Sequence, residues 1–195
     1  MKRTFRKSTA YAFIDSQNLN LGIQKMGWKL DWRKFRQYLK DVHGVTNAYM
    51  FIGYMHENEA LYEYMHELGY LVVLKPTVDI TPNQDKDKNK HERHTVKGNV
   101  DVELALYALK EMPNYKKAIV VSGDGDFYAL AEYLEQKSKL AKILTPNWQY
   151  SSLLKAFDNN IIRLDQMRSQ LEYRDRKPRK KQQPNRYIFK HNLDK

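Results

Sequence analysis

The 195-residue chain has no cysteine, which excludes disulfides and thiolate metal sites. No apolar run approaches the length of a membrane span, and the N-terminal MKRTFRKSTAYAFID has no signal-peptide core ahead of a cleavage site. Both absences point to a cytoplasmic protein with no membrane partner. Internal repeats are absent as well. Acidic charge is in deficit: 23 Asp and Glu stand against 34 Lys and Arg, a formal net charge of +11. The excess is unevenly placed. Lys2, Arg3, Arg6 and Lys7 crowd a basic N-terminal arm (1–10), and residues 174–195 hold nine Lys or Arg against two acidic residues. Charge clustered in this way is the footprint of a polyanion partner, although solubility alone would also tolerate it. The tail has little apolar content before Tyr187-Ile188-Phe189 and reads as an extension that is disordered or folds on binding.

What is present between the basic ends, over 11–173, reads as one domain with enough apolar residues for a sizeable core. Short β-branched or apolar runs recur at Tyr11–Ile14, Val45–Tyr54, Tyr70–Leu74, Ala118–Val121, Ala141–Leu144 and Ile161–Leu164. Helical periodicity lies between them. Leu19, Leu21, Ile23 and Met26 suggest a short helix. Asp31 is placed to cap a second, with Trp32, Phe35, Tyr38 and Leu39 on its buried face. Further helices are expected over Glu57–Leu68, Val100–Met112, Asp126–Gln136 and Ser151–Phe157, and a last one capped by Asp165 and running to about Tyr173. Alternating strands and helices predict a doubly wound α/β fold with a largely parallel sheet. Residues 78–99 are too polar to pack as an element and read as a long exposed loop.

The centre of this pattern is KAIVVSGDGDFY, residues 117–128. A buried strand ends at Ser122-Gly123 and delivers Asp124 and Asp126, where open α/β sheets place their sites. Asp15 ends the first strand in the same manner, and Asp101 opens the helix that feeds the fourth strand. If the first and fourth strands are neighbours, all four carboxylates converge on one edge. Each aspartate singly also reads as a turn or first-turn helix residue. Together they repel unless a cation sits among them, and hard Mg²⁺ or Mn²⁺ prefers oxygen ligands. A metal held this way activates water for attack on a phosphodiester. With the basic surface, this predicts a metal-dependent nuclease.

Phe13–Asn18 (FIDSQN), Lys97–Val102 (KGNVDV) and Val121–Phe127 (VSGDGDF) resemble, in order, the three blocks of the NYN domain family. The likeness is to its LabA-like branch, within the PIN-like nuclease superfamily, and SSLLKAFDNNIIRL at 151–164 resembles the family's closing motif. The resemblance spans about Tyr11 to Leu164. It implies a PIN-like (Rossmannoid) three-layer fold with helices on both faces of a mainly parallel sheet. It further implies a ribonuclease whose catalytic and metal-holding residues are Asp15, Asp101, Asp124 and Asp126. Asn18 would support the site, Ser122 would orient the turn or contact substrate, and Lys97 would meet phosphate. Many relatives have a further acidic residue where this chain has Tyr107, and Glu103 lies off the Asp101 face. The alternative is therefore a non-catalytic RNA-binding or regulatory module; a third reading is a scaffold that recruits partners through the tail.

His91 and His94 in the long loop fit a solvated segment better than a transition-metal site. Lys86, Lys88, Lys90, Arg93 and Lys97 in the same loop suit a nucleic-acid backbone. Most aromatic residues read as core, but Trp148 and Tyr150 follow the fifth strand and are candidates for base stacking. Gly123-x-Gly125 lacks the third glycine of a dinucleotide fingerprint. A phosphatase nucleophile pair after the first strand is excluded because Asp15 is followed, two residues on, by Gln17. The expected partner is RNA, and a homodimer is admitted.

Overall fold

A computed structural model describes residues 9–76 and 100–174. The basic arm up to residue 8, the whole of the long polar loop 78–99 with Lys97, His91 and His94, and the tail beyond Arg174 lie outside the described residues.

The sheet has six strands: β1 (Ala10–Asp15), β2 (Val45–Gly53), β3 (Leu71–Lys75), β4 (Lys117–Val121), β5 (Leu140–Thr145) and β6 (Ile161–Arg163). Their order is β3-β2-β1-β4-β5-β6 and every pairing is parallel. The helices are α1 (Ser16–Lys25), α2 (Trp32–His43), α3 (Glu59–Glu67), α4 (Asp101–Lys110), α5 (Tyr128–Gln136) and the short α6 (Arg168–Leu171).

Side chains alternate across each strand, and the alternation builds two cores. Ala12 and Ile14 of β1 and Ile119 and Val121 of β4 join Leu19, Ile23, Phe35, Leu39, Met65 and Leu171 on one face. Tyr11, Phe13, Ala118 and Val120 join Leu104, Ala108, Leu130, Leu134 and Phe157 on the other. Thus α1, α2, α3 and α6 cover one face and α4 and α5 cover the second. Connectivity explains the division. Right-handed crossovers from β1 outward to β3 stay on one face, and the return to β4 beyond β1 must pass over the other. The chain therefore changes direction between β1 and β4, and the crevice at their carboxyl ends is a topological switch point.

The main elements fall where the sequence places them. Asp31 caps α2, its carboxylate accepting from Lys34 N at 3.1 Å, a contact whose loss costs about 1 kcal/mol in typical helices. Two local expectations are corrected. The segment after β5 is a 3₁₀ run, Ser152–Asn160, with non-helical backbone at Phe157. Asp165 does not cap a long last helix: it lies inside a 3₁₀ turn, Leu164–Met167, ahead of the four-residue α6. Its carboxylate is held by Arg163 in a two-pronged pair (Nη2–Oδ2 2.6 Å, Nε–Oδ1 3.1 Å). A guanidinium two residues back offers that fork more strongly than a backbone amide can compete.

Candidate metal centre

Three carboxylates meet at the switch point. One oxygen from each of Asp101, Asp124 and Asp126 lies within 4.8 Å of the others. Asp101 is the first residue of α4, which begins at the carboxyl edge because it follows β3. Asp124 ends the turn after β4 and caps the 3₁₀ turn Gly125–Phe127, its Oδ1 accepting from Asp126 N at 3.1 Å. That turn aims Asp126 into solvent beside its neighbour. Asp101 and Asp124 are half-buried and Asp126 is exposed.

Asp15 stands behind the three. It is 5% exposed, and both its oxygens accept hydrogen bonds: Oδ1 from Asn18 N at 3.0 Å, as the cap of α1, and Oδ2 from Ser122 Oγ at 3.2 Å. Burial pushes its pKa up from the usual carboxylate value, and the charges of Asp101 and Asp124 push the same way. The bonds from Asn18 and Ser122 oppose the shift. A carboxylate that feels two like charges in a buried setting is relieved by a cation among them.

Ser122 and Asn18 knit the two strand ends together. The Ser122 hydroxyl donates to Asp15 and accepts from Asp124 N at 3.2 Å. Asn18 Oδ1 accepts from Gly123 N at 2.9 Å. Ser122 is 1% exposed, so of its two expected roles the geometry favours orientation over substrate contact. Trp148 is 57% exposed in the loop after β5.

Tyr107, in place of an acidic side chain, turns toward the sheet and packs against Tyr49 and Phe51 of β2, with ring centroids 5.9 and 5.5 Å away. Glu103 pairs with Lys75 at 3.0 Å. Neither joins the acidic group.

In the sequence the loop after β5 reads as a strand stop followed by the stacking candidates Trp148 and Tyr150; in the structure other residues of it, Pro146, Asn147 and Ser151, build one wall of the site. Asn147, 5% exposed, donates from Nδ2 to Gly22 O at 2.7 Å and accepts from Gln149 N at 2.7 Å. Ser151 N donates to Gly123 O at 2.9 Å. Two glycines allow the approach: a Cβ at Gly22 would sit 2.5 Å from Pro146 Cβ, and one at Gly125 would meet the Ser151 hydroxyl. The available signal was positional, since any loop leaving the carboxyl end of β5 shares this edge.

The donor set, oxygens from closely spaced carboxylates with no sulfur or imidazole among the three, fits a hard divalent cation such as Mg²⁺ or Mn²⁺. Fold and site together define a three-layer α/β protein with an acidic centre at its switch point, the PIN-like arrangement.

The pattern of the NYN domain matches residues 9–165, and the chain belongs to that family. It is 26% identical over 176 residues to the low amplitude and bright protein LabA of Synechococcus elongatus, covering 88% of this chain and 92% of that protein. Its fold is similar to the crystal structure of a protein of unknown function from Vibrio parahaemolyticus. There the TM-score is 0.66 at 22% identity, covering 88% of this chain and 99% of the other. No helix among the described residues is long and apolar enough to cross a membrane. Neither the structure nor these relatives support the homodimer.

Proposed function

We propose that the protein is a Mg²⁺- or Mn²⁺-dependent ribonuclease that hydrolyses RNA phosphodiester bonds at the acidic centre. The observation that carries this reading is the convergence of Asp101, Asp124 and Asp126 within 4.8 Å, backed by the buried Asp15. Asp101, Asp124 and Asp126 would hold a divalent ion, which would supply activation of water and neutralisation of phosphate charge. The chain's own residues prepare the place. Asp101, Asp124 and Asp126 would supply the ligand oxygens. Asp15, fixed by Asn18 N and Ser122, adds negative field behind them and holds the start of α1 in register with β4. Ser122 sets the backbone of Asp124 through its accepted hydrogen bond. The net charge of +11 draws a polyanion to an otherwise anion-repelling site, with Lys97 and the basic arm and tail as expected contributors. Trp148, exposed beside the site, is suited to stacking a base.

A second reading has its own observation. Tyr107 is packed against β2 and Glu103 is held by Lys75, so no further carboxylate from α4 joins the group. A protein with this thinner ligand set would bind RNA without cutting it. The deciding experiment incubates end-labelled structured and single-stranded RNAs with Mn²⁺, Mg²⁺ or EDTA, with wild type beside Asp124→Asn. Metal-dependent products absent from the variant support the nuclease. Binding without cleavage in either metal supports the binding module.

A further inference from the structure

A cleft of about 260 Å³ opens directly beside the acidic centre, between α1 and the loop after β5. Its inner end is Asn18 and Gly123, the pair that joins the two strand ends. From there Asn18, Leu21, Gly22 and Lys25 run along one face of α1, at the spacing of three, four and seven residues that puts side chains in a single stripe. Pro146, Asn147 and Gln149 form the facing wall.

The walls are fixed, and their exposed ends are polar. Asn147 bridges them through its bond to Gly22 O, and Gly22 packs so closely on Pro146 that a Cβ would collide. The Lys25 ammonium, the Gln149 amide and the Asn18 Nδ2 have no hydrogen-bond or ion-pair partner among the described residues. Along α1, Lys25 is seven residues from Asn18, a rise of roughly 10 Å. The cleft thus leads from a carboxylate site to a cation.

We infer that this cleft seats the nucleotide next to the scissile phosphate of single-stranded RNA, with Lys25 meeting the following phosphate; the inference rests on the nuclease reading of the aspartates. Its size is just below the about 300–1,000 Å³ of pockets that take drug-sized ligands, which suits one nucleotide and not a duplex. The Gln149 and Asn18 amides offer donors to a base edge or sugar, and Leu21 and Pro146 offer an apolar floor. A second cleft of about 430 Å³ flanks the other side of α1, but it is walled by Trp32, Met50, Leu61 and Met65 and its lining holds no charged side chain. A polyanion has reason to follow the first cleft and not the second.

The test uses the full chain in an Asp124→Asn background, so that binding is read apart from cleavage. Lys25 is exposed, so its replacement leaves folding intact. Fluorescence anisotropy is measured with a labelled single-stranded RNA and a labelled hairpin of equal length, and crosslinking with a 4-thiouridine-bearing single strand. Lys25→Glu weakens single-strand binding by about tenfold and Lys25→Arg restores it to within about twofold, with a smaller effect on the hairpin stem. The crosslinks fall on the peptide that holds Pro146 and Gln149, which line only the first cleft. Equal binding by wild-type and Lys25→Glu forms, or crosslinks confined to the α3 side of α1, overturns the proposal. Wild-type cleavage is followed in parallel: its absence defeats the nuclease reading, while the anisotropy and crosslinks still judge the cleft.

Discussion

Two strands of this protein lead to an aspartate that caps the element after it, Asp15 at the end of β1 and Asp124 three residues past β4, and the two have become different things. Asp15 closes β1, is buried, and gives both oxygens to hydrogen bonds from Asn18 and Ser122. Asp124 follows β4 after a two-residue turn, is half-buried, and gives one oxygen to Asp126 N. One of its oxygens lies within 4.8 Å of an oxygen of Asp101 and of Asp126. Similar local grammar has thus produced a buried, doubly hydrogen-bonded carboxylate and a half-buried one beside two others, which in the proposed function become a positioning group and a ligand group. The difference comes from turn length. Asp15 passes straight into α1, which buries it against β4, whereas Ser122-Gly123 carries Asp124 outward to the crevice.

The comparison is broken most strongly at Asp124. Asp124→Asn lowers metal-dependent cleavage by more than roughly a hundredfold, beyond the usual cost of losing an outer-sphere partner. Asp15→Asn keeps an oxygen to cap α1 and lowers cleavage by about 10–100-fold. Initial rates on one labelled RNA at saturating Mn²⁺ check both; equal losses would erase the distinction.

Metal binding separates the same pair in a melt. At one hundred times its dissociation constant, Mn²⁺ stabilises the wild type by about 2.7 kcal/mol, or roughly 5–10 °C for a chain of this size. Asp124→Asn loses most of that shift and Asp15→Asn keeps part of it, as differential scanning fluorimetry would show.

Without metal the order reverses for Asp15. Its folded pKa lies above the unfolded value of 3.8, so its ionised form opposes folding. This opposition is absent below the unfolded pKa, grows as pH rises from the unfolded to the folded one, and is fully present above it. Metal-free Asp15→Asn therefore melts no lower than wild type at neutral pH, and its relative advantage shrinks in acid. A variant that melts lower at pH 7 in EDTA would show that hydrogen bonding outweighs desolvation there.

The smallest effects test the ties between the two strand ends. Ser122→Ala removes the donor to Asp15 and the acceptor for Asp124 N, costing about 1–3 kcal/mol of stability. Gly22→Ala forces a methyl against Pro146 and costs about 1–3 kcal/mol through overpacking. Urea melts measure both.

Much of this was legible in the chain. The six strands, the capping of α2 by Asp31 and the helical faces follow from period and caps. The last two segments were harder. Ser152–Asn160 has helical apolar spacing, but tertiary packing of Leu154 and Phe157 holds it in a 3₁₀ path. Asp165 looked like a cap, but Arg163 takes its carboxylate. In the site, Asp15, Asp124 and Asp126 were visible as strand-end residues and Asp101 as a helix opener; the burial that sets Asp15 apart was not, because burial is a property of neighbours. The α1–β5 cleft left almost no trace, since Asn147 and Gly22 are 125 residues apart in the chain.

The sequence by itself determined the α/β alternation, the acidic residues at the strand ends and the basic excess, because each depends on residue type and local spacing. Only the tertiary structure decided that β1 and β4 are neighbours, that Asp101 joins Asp124 and Asp126 while Asp15 stands behind them, and that Tyr107 turns to the sheet. Those outcomes depend on the strand order and on which side chains lose their water, and both are set by contacts far apart in the chain.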